Sequence, residues 1–297
     1  MRTSELIGVF LVAIGFSLVG CGTASESISS SESNDAKKEW VEGVDYFLPK
    51  IDLSNWKVTL PIGRPTEVVP PAVLGYPDNV MLRPFMFNDS TDAALVFHTY
   101  PGSTTRNSSY SRTELREQLV PGSNATNWTF AQGGRMKGTL KVDDISKDSD
   151  GNYHRTIVMQ IHGRLTDAQR NLIGEDDNNA PPVLKIYWNN GRVRVHRKVL
   201  KNLEVNDLDI LRTDAWEDDA RWLGNRVDFE KFTIEVIVSD GRMEVILNEG
   251  EANVVFDDIH MQKWGIFENY FKAGNYLLTT DKDSHATVKY YDLVVTH

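Results

Sequence analysis

Three short segments of this 297-residue chain put polar side chains where a strand face is ordinarily apolar or casually charged. In residues 111–117 (SRTELRE), strand alternation sends Arg112, Glu114 and Arg116 to one face as a plus-minus-plus ladder. In Gln160-Ile161-His162, an amide donor and a titratable imidazole leave the strand on the side opposite Ile161. In residues 270–276 (YFKAGNY), Tyr270, Lys272 and Tyr276 share a face across Gly274, whose missing side chain leaves room for a close approach. Singly, each has an ordinary structural explanation: a solvated ion-pair ladder, a hydrogen-bonded histidine, a tyrosine-rich edge with a snorkelling lysine. Together they offer two Arg, one Lys, one His, one Gln and two Tyr to one sheet face. That set suits holding a carboxylate and moving a proton beside it. Removing the proton from the carbon next to a sugar carboxylate creates an enolate-like dianion, which guanidinium and amide donors stabilise. Histidine titrates near neutrality, and a tyrosine beside cations is drawn toward it. The chemistry these groups suit is β-elimination, with the glycosidic oxygen leaving.

The elements that must carry these groups are strands. From about Val44 onward period-two alternation dominates, with no internal repeat and no long helical stripe. Residues 155–163 are expected to place Ile157, Met159 and Ile161 on one face and Val158, Gln160 and His162 on the other. Residues 232–239 alternate, turn at Asp240-Gly241 and continue through Met243, Val245 and Leu247, a strong hairpin signal. Residues 287–296 alternate again, with Tyr290 and Tyr291 on opposite sides. Many short strands between polar turns predict an all-β fold, a β-sandwich or jelly roll. Residues 166–182 and 203–226 read as long connections, either walls of a site or surface insertions, with a helical turn over 166–172.

Composition narrows the ligand. Lys+Arg 32 against Asp+Glu 42 leaves a formal charge of −10, so nucleic acid is not expected as a partner, and a polyanion must be held by a local basic cluster. The single cysteine, Cys21, excludes internal disulfides, and no Cys/His array has zinc spacing; neither a metal nor any other cofactor is expected. An apolar run from Leu6 to Val19 is too short for a comfortable bilayer span and reads as an export signal. It closes in Leu18-Val19-Gly20-Cys21, which resembles the bacterial lipobox. That resemblance implies a lipid anchor on Cys21 and, with Gly22 rather than Asp, an outer-membrane address. The expected organisation is a signal over residues 1–21, a Ser-rich tether over 22–43 and one domain over 44–297, acting as a monomer.

The polar segments resemble the signature motifs of the family 7 polysaccharide lyases, the alginate lyases. Arg112-Thr-Glu-Leu-Arg116-Glu117 is similar to the block R-[ST]-E-L-R-E, Gln160-Ile161-His162 to Q-[IV]-H, and Tyr270-Phe-Lys-Ala-Gly-Asn-Tyr276 to Y-F-K-A-G-x-Y. Residues 51–61 are similar to the family's first strand, and the likeness runs in order to residue 297. It implies a jelly roll of two curved antiparallel sheets with a concave groove. It also implies cleavage of alginate, a polymer of mannuronate and guluronate, leaving an unsaturated sugar at the new non-reducing end. By motif, Arg112, Gln160 and His162 would neutralise the carboxylate at the scissile residue. Tyr276 would protonate the leaving oxygen and serve as base toward mannuronate, and His162 would be the base toward guluronate. Glu114, Arg116, Lys272 and Tyr270 would orient those groups or hold neighbouring sugars. Which of Arg112 and Arg116 meets the scissile carboxylate stays open, since both share a face.

One position departs from the family pattern: the third motif usually continues Y-x-Q, and here Leu278 stands at the Gln position. A polar sugar contact is thereby lost. The Ile of Gln160-Ile161-His162 goes, in the family, with activity on guluronate-containing blocks. Should the two long connections wall the groove, cleavage would proceed from chain ends. Two other functions compete. A sandwich-fold glycoside hydrolase needs a pair of strand-borne carboxylates that the sequence does not offer. A non-catalytic carbohydrate-binding lipoprotein has only Leu278 in its favour.

Overall fold

The structure is a computed structural model and describes residues 49–297, so Cys21 and the tether lie outside the described residues. The chain first forms β1 (Trp56–Leu60), β2 (Thr66–Val68), β3 (Met86–Asp89), β4 (Ala94–Thr99) and β5 (Arg112–Glu117). Next come β6 (Trp128–Thr129), β7 (Gly134–Ile145), β8 (Arg155–Arg164), helix α1 (Asp167–Ile173), β9 (Asn179–Asn189) and β10 (Arg192–Leu200). It continues through β11 (Trp216–Arg226), β12 (Phe232–Ser239), β13 (Arg242–Leu247) and β14 (Ala252–Phe256). Helix α2 (Ile259–Trp264), β15 (Glu268–Leu277) and β16 (Ala286–Thr296) complete it. One sheet has the order β11-β10-β9-β8-β15-β5-β1-β2, with β6 also on β15; the other runs β14-β13-β12-β7-β16-β4-β3. Two antiparallel sheets packed on a common core make the expected jelly roll.

Alternation builds that core. On β12 and β13 every second residue is buried, and the hairpin turns at Gly241, whose φ of +62° suits glycine. Val58, Leu115, Ile161 and Phe271 of the first sheet join Met136, Ile234, Val245 and Val288 of the second in one cluster. Helix α1, which covers the helical turn expected at 166–172, is closed by a capping box between Thr166 and Gln169 and ends at Gly174 in the left-handed conformation.

β5 is unusual because all six of its residues are buried although four are charged. Its inward face carries Thr113, Leu115 and Glu117. The Glu117 carboxylate accepts the Trp128 indole N–H and the Phe271 amide, both at 3.0 Å, and lies 2.6 Å from His297 Nε2. Burial works against charge on His297, yet this carboxylate raises its pKa overall. The last Glu of the RTELRE block is therefore a core fastener, tying β6, β15 and the end of the chain to β5.

Two expectations need correction. Strict alternation fails on β8: Val158 and Met159 both join the core, while Ile157 turns to the opposite face, opposite Tyr276 and Tyr187. The cause is a bulge. Gly274 and Asn275 of β15 together face the single residue Val158, and Val158 is itself an extra residue against β9. The second correction concerns residues 203–226, of which Trp216–Arg226 is strand β11 and extends the sheet floor instead of walling it. Residues 179–182 likewise belong to β9.

Replacing Glu117 by Ala leaves the Trp128 and Phe271 donors buried without an acceptor. A loss of about 3 kcal/mol is expected, lowering Tm by about 6–12 °C for a domain of this size. Thermal unfolding of Glu117→Ala beside the wild type measures it.

Candidate active site

Strand register brings the three polar segments together. Lys57, Arg116, Lys272 and Gln160 form one cross-strand row, Thr59, Glu114 and Gly274 the next, and Arg112, Tyr276 and Ile157 a third. His162 pairs with Tyr270 at the far end of β8.

Glu114 is the centre of this array. Its carboxylate is wholly buried, a costly position for a charge unless donors surround it. Arg112 reaches Oε2 from 3.3 Å, the Lys272 ammonium meets the same oxygen, and the Gln160 amide nitrogen donates to Oε1. Each bond holds its donor in place. The Arg112 Nε–H is buried with no acceptor among the described residues. Alongside, Arg116 donates to the Glu117 carbonyl at 2.6 Å and to Asn127 Oδ1 at 2.7 Å, and its guanidinium lies 4.0 Å over the Tyr270 ring. Tyr270 in turn stacks on His162, with ring centroids 5.2 Å apart and planes 10° from parallel.

Electrostatics follow from this crowding. The His162 Nδ1 lies 2.9 Å from the Gly163 carbonyl, which assigns the proton to Nδ1 and leaves Nε2 as the basic nitrogen. Burial, then the positive charge of Lys272, Arg112 and Arg116, depresses the His162 pKa to about 3, against the pull of the Gly163 carbonyl. Burial also lowers Lys272 to about 8, with Arg112 and Lys57 adding to the effect and Glu114 opposing it. Tyr270 is raised by burial despite the nearby Arg116 and Arg112. The free site thus holds a neutral imidazole among cations.

Tyr276 stands at the other end of β15. Its ring lies 3.8 Å beneath the Arg112 guanidinium, and its hydroxyl is 2.5 Å from Ser108 Oγ. The bulge sets its position along β8, since seven residues of β15 from Tyr270 to Tyr276 span only six of β8, from His162 to Ile157. Gly274 is required there: its φ is +139°, and a Cβ would come within 2.7 Å of the Thr113 carbonyl oxygen. The groups that the bulge strips of ladder partners are met from the opposite sheet. The Tyr290 phenol accepts the Gly274 amide at 3.1 Å and donates to the Val158 carbonyl at 2.5 Å. The Asn275 side-chain amide donates to Phe97 and Ala286 carbonyls at 3.0 and 2.7 Å.

A cavity of about 310 Å³ opens above these residues, lined by Lys57, Arg112, Arg116, His162, Tyr270 and Lys272 among others. Gln160 and Glu114, 2% and 0% exposed, lie beneath its floor, and Tyr276 stands outside the lining. The Gln160 amide thus donates to Glu114, and Glu114 holds Gln160, Arg112 and Lys272 together. Leu278 falls just past β15, its N–H donating to the Arg155 carbonyl at 3.0 Å. A roof crosses the cavity. β5 and β8 run in the same direction, both antiparallel to β15, so residues 100–111 entering β5 and residues 165–178 leaving β8 rise from opposite ends of the sheet. They meet where Arg106 bonds Asp176 at 2.9 Å and Asn107 bonds Asp177 at 3.2 Å. A larger cavity, about 700 Å³ beside His98, Tyr100 and His285, shares no residue with this one.

Sequence reasoning missed Lys57, Ser108, the part played by Tyr290 and the half of the roof that enters β5; the other half lies in residues 166–182, read from the sequence as walls of a site or a surface insertion. Lys57 was within reach, because Trp56–Leu60 alternates with Lys57 and Thr59 on one face. Ser108, Arg106 and Asn107 carried no signal beyond lying in a polar loop.

A family model described as alginate lyase matches residues 51–297. The chain belongs to the alginate lyases of polysaccharide lyase family 7. Among solved structures, alginate lyase A1-II′ of that family is 30% identical over 83% of this chain and 96% of its own, with a TM-score of 0.66. AlgAT5, also of family 7, is 26% identical over 84% and 99%, with a TM-score of 0.60. PA1167 from Pseudomonas aeruginosa, 23% identical over 83% and 99% with a TM-score of 0.62, shares the fold. Variants of A1-II′ are known in complex with a substrate, GGMG, and with a product, GGG. A search of curated protein sequences returned no match.

In this lyase, a bound uronate carboxylate brings negative charge toward Lys272, Arg112 and Arg116, so the His162 pKa should climb from about 3 toward its ordinary 6.5. NMR titration of the ring protons, with and without a short oligouronate, checks this. A ring unmoved by ligand would separate His162 from the carboxylate site. In the free protein the depressed pKa favours the neutral form. Its share of stability is present above pH 6.5 and is lost as pH falls toward 3.

Proposed function

We propose that this alginate lyase breaks the glycosidic bond by β-elimination, acting as a monomer from chain ends and accepting guluronate. The observation that carries the chemistry is the neutral His162 imidazole set among Lys272, Arg112 and Arg116 in one cavity. A uronate carboxylate entering that cavity replaces the missing negative charge. With the carboxylate held by guanidinium and ammonium, the C5–H bond is acidified, because the electron pair it releases spreads into the carboxylate as an enolate-like dianion. His162 Nε2 takes the C5 proton of guluronate; Tyr276 Oη takes it from mannuronate, whose C5–H lies on the other side. The C4–O bond then breaks, a C4=C5 double bond forms, and Tyr276 delivers a proton to the leaving oxygen. The bound carboxylate, by raising the His162 pKa, makes the imidazole a competent base only when substrate is present.

The roof supports chain-end action. The ties from Arg106 to Asp176 and from Asn107 to Asp177 cover the cavity, so a polymer entering end-first meets less obstruction than one laid in sideways. Conjugation of the new double bond with the carboxylate gives an ultraviolet absorbance that hydrolysis cannot produce. Tyr276→Phe should lower its rate of appearance at least about a hundredfold, while affinity for a short oligouronate is retained. Undiminished turnover in Tyr276→Phe would remove the phenol from the reaction. In the same digests, viscosity should fall slowly relative to absorbance, and an early viscosity collapse would instead mean cleavage within chains.

The location proposed is the outer membrane, through a lipid on Cys21, supported by the Leu18-Val19-Gly20-Cys21 sequence. No helix among the described residues is long and apolar enough to cross a membrane. Cys21→Ala should shift activity from the membrane pellet to the soluble fraction.

A further inference from the structure

The face that carries the active site does not stop at β8. Register continues the row of Tyr276 and Ile157 through Tyr187 on β9 and Arg194 on β10 to Trp222 on β11. Trp222 is 45% exposed, although the other large aromatic residues of this sheet are mostly buried. Two guanidiniums flank its ring, Arg192 at 4.7 Å and Arg194 at 5.1 Å from the centroid. A third, Arg155, stands 5.7 Å from the Tyr187 ring in the neighbouring row. Among the described residues, none of these three arginines makes an ion pair with a carboxylate. One row along, the cations are already neutralised: Lys185 and Lys198 lie 2.6 and 2.9 Å from Asp218. Two unpaired guanidiniums on an exposed indole, with a third over the adjoining Tyr187 ring, are conspicuous in a chain of net charge −10.

Resting on the alginate lyase reading, we propose that Trp222, Arg192 and Arg194 form a remote binding platform for the uronate polymer. The indole face stacks on a sugar ring, and the guanidiniums hold the carboxylates of that ring and its neighbours. Four inter-strand steps separate Tyr276 from Trp222, about 19 Å at ~4.8 Å per strand. A sugar on Trp222 is therefore several rings from the bond being cut. The platform lies on the floor supplied by β9, β10 and β11, where a chain whose end is held under the roof would trail. Its chemistry selects a polyanionic saccharide: an aromatic face alone would take a neutral glycan equally well, and arginines alone would take any polyanion.

The test compares substrates by length. In Trp222→Ala, KM for the polymer should rise about tenfold, equivalent to about 1.4 kcal/mol, with kcat unchanged. A trimer, too short to reach from the scissile site to Trp222, should be turned over as by the wild type, which also shows that the variant folds. In Arg192→Gln/Arg194→Gln, polymer KM should rise and lose much of its dependence on salt. Equal effects on trimer and polymer, or no effect on either, would overturn the platform. Native gels containing polyuronate address the same site without turnover: the wild type should be retarded and Trp222→Ala much less so. Equal retardation of the two proteins, or retardation of the wild type by a neutral glycan or by single-stranded DNA to the same degree, would overturn the proposal. A wild type that cleaves no uronate yet is retarded through Trp222 would defeat the lyase mechanism and leave the platform standing.

Discussion

A carboxylate with no exposure to water, Glu114, organises everything around it. An unpaired charge there would cost several kcal/mol, so the fold must bring donors to it from three strands. Arg112, Gln160 and Lys272 answer that demand, one each from β5, β8 and β15. The consequence runs outward. Lys272 and Arg112 keep their remaining charge toward the cavity, where with Arg116 they hold His162 neutral. The site is prepared for an anion before one arrives, because the cations are fixed by a buried partner instead of by the ligand. Preorganisation of this kind avoids rearranging dipoles at the moment of reaction.

A second constraint acts through the core. The bulge at Gly274 and Asn275 sets Tyr276 against Ile157 of β8, while its pairing with Arg112 of β5 runs on unshifted, and it leaves backbone groups without ladder partners on the β8 side. Tyr290, bonded to the Gly274 amide and the Val158 carbonyl, and Thr99, donating to the Asn275 carbonyl, repair that loss across the sheet interface in surroundings that are otherwise apolar. Burial accordingly drives the Tyr290 pKa up, and the phenol stays a donor as well as an acceptor. The opposite sheet thereby braces the bulge that sets where the Tyr276 phenol stands.

Much of this was legible in the chain. The alternation of β12 and β13, the hairpin at Asp240-Gly241 and the burial of Ile161 follow directly from period two. The polar faces of β5, β8 and β15 were readable because charged residues at alternate positions are out of place on a sheet that is elsewhere apolar. What escaped was whatever depends on an interruption of the period. Ile157 was assigned to the core because nothing local announces that Val158 is an extra residue; the bulge exists only in the pairing with β15 and β9. Alternation placed Tyr290 and Tyr291 on opposite sides, and nothing local showed that the Tyr290 hydroxyl, which needs a partner when buried, would find it at the bulge. Strand β11 was hidden by composition. Glu217, Asp218 and Asp219 look like loop residues, yet two of these carboxylates are held by Lys185, Lys198 and Arg197 on neighbouring strands.

The inter-sheet bonds at the bulge also divide the molecule by how its parts come undone. Amide protons at Gly274 and Phe271 are held by side chains buried in the core, so they exchange with solvent only when the sandwich itself parts. The roof is fastened by Arg106 and Asp176, 68% and 79% exposed, so the backbone of those two loops opens at far lower free energy than the sheet does. The catalytic floor and its cover therefore occupy opposite rungs of one ladder of opening events. Amides of the covering loops therefore exchange with solvent many times for each occasion on which the strands beneath them part.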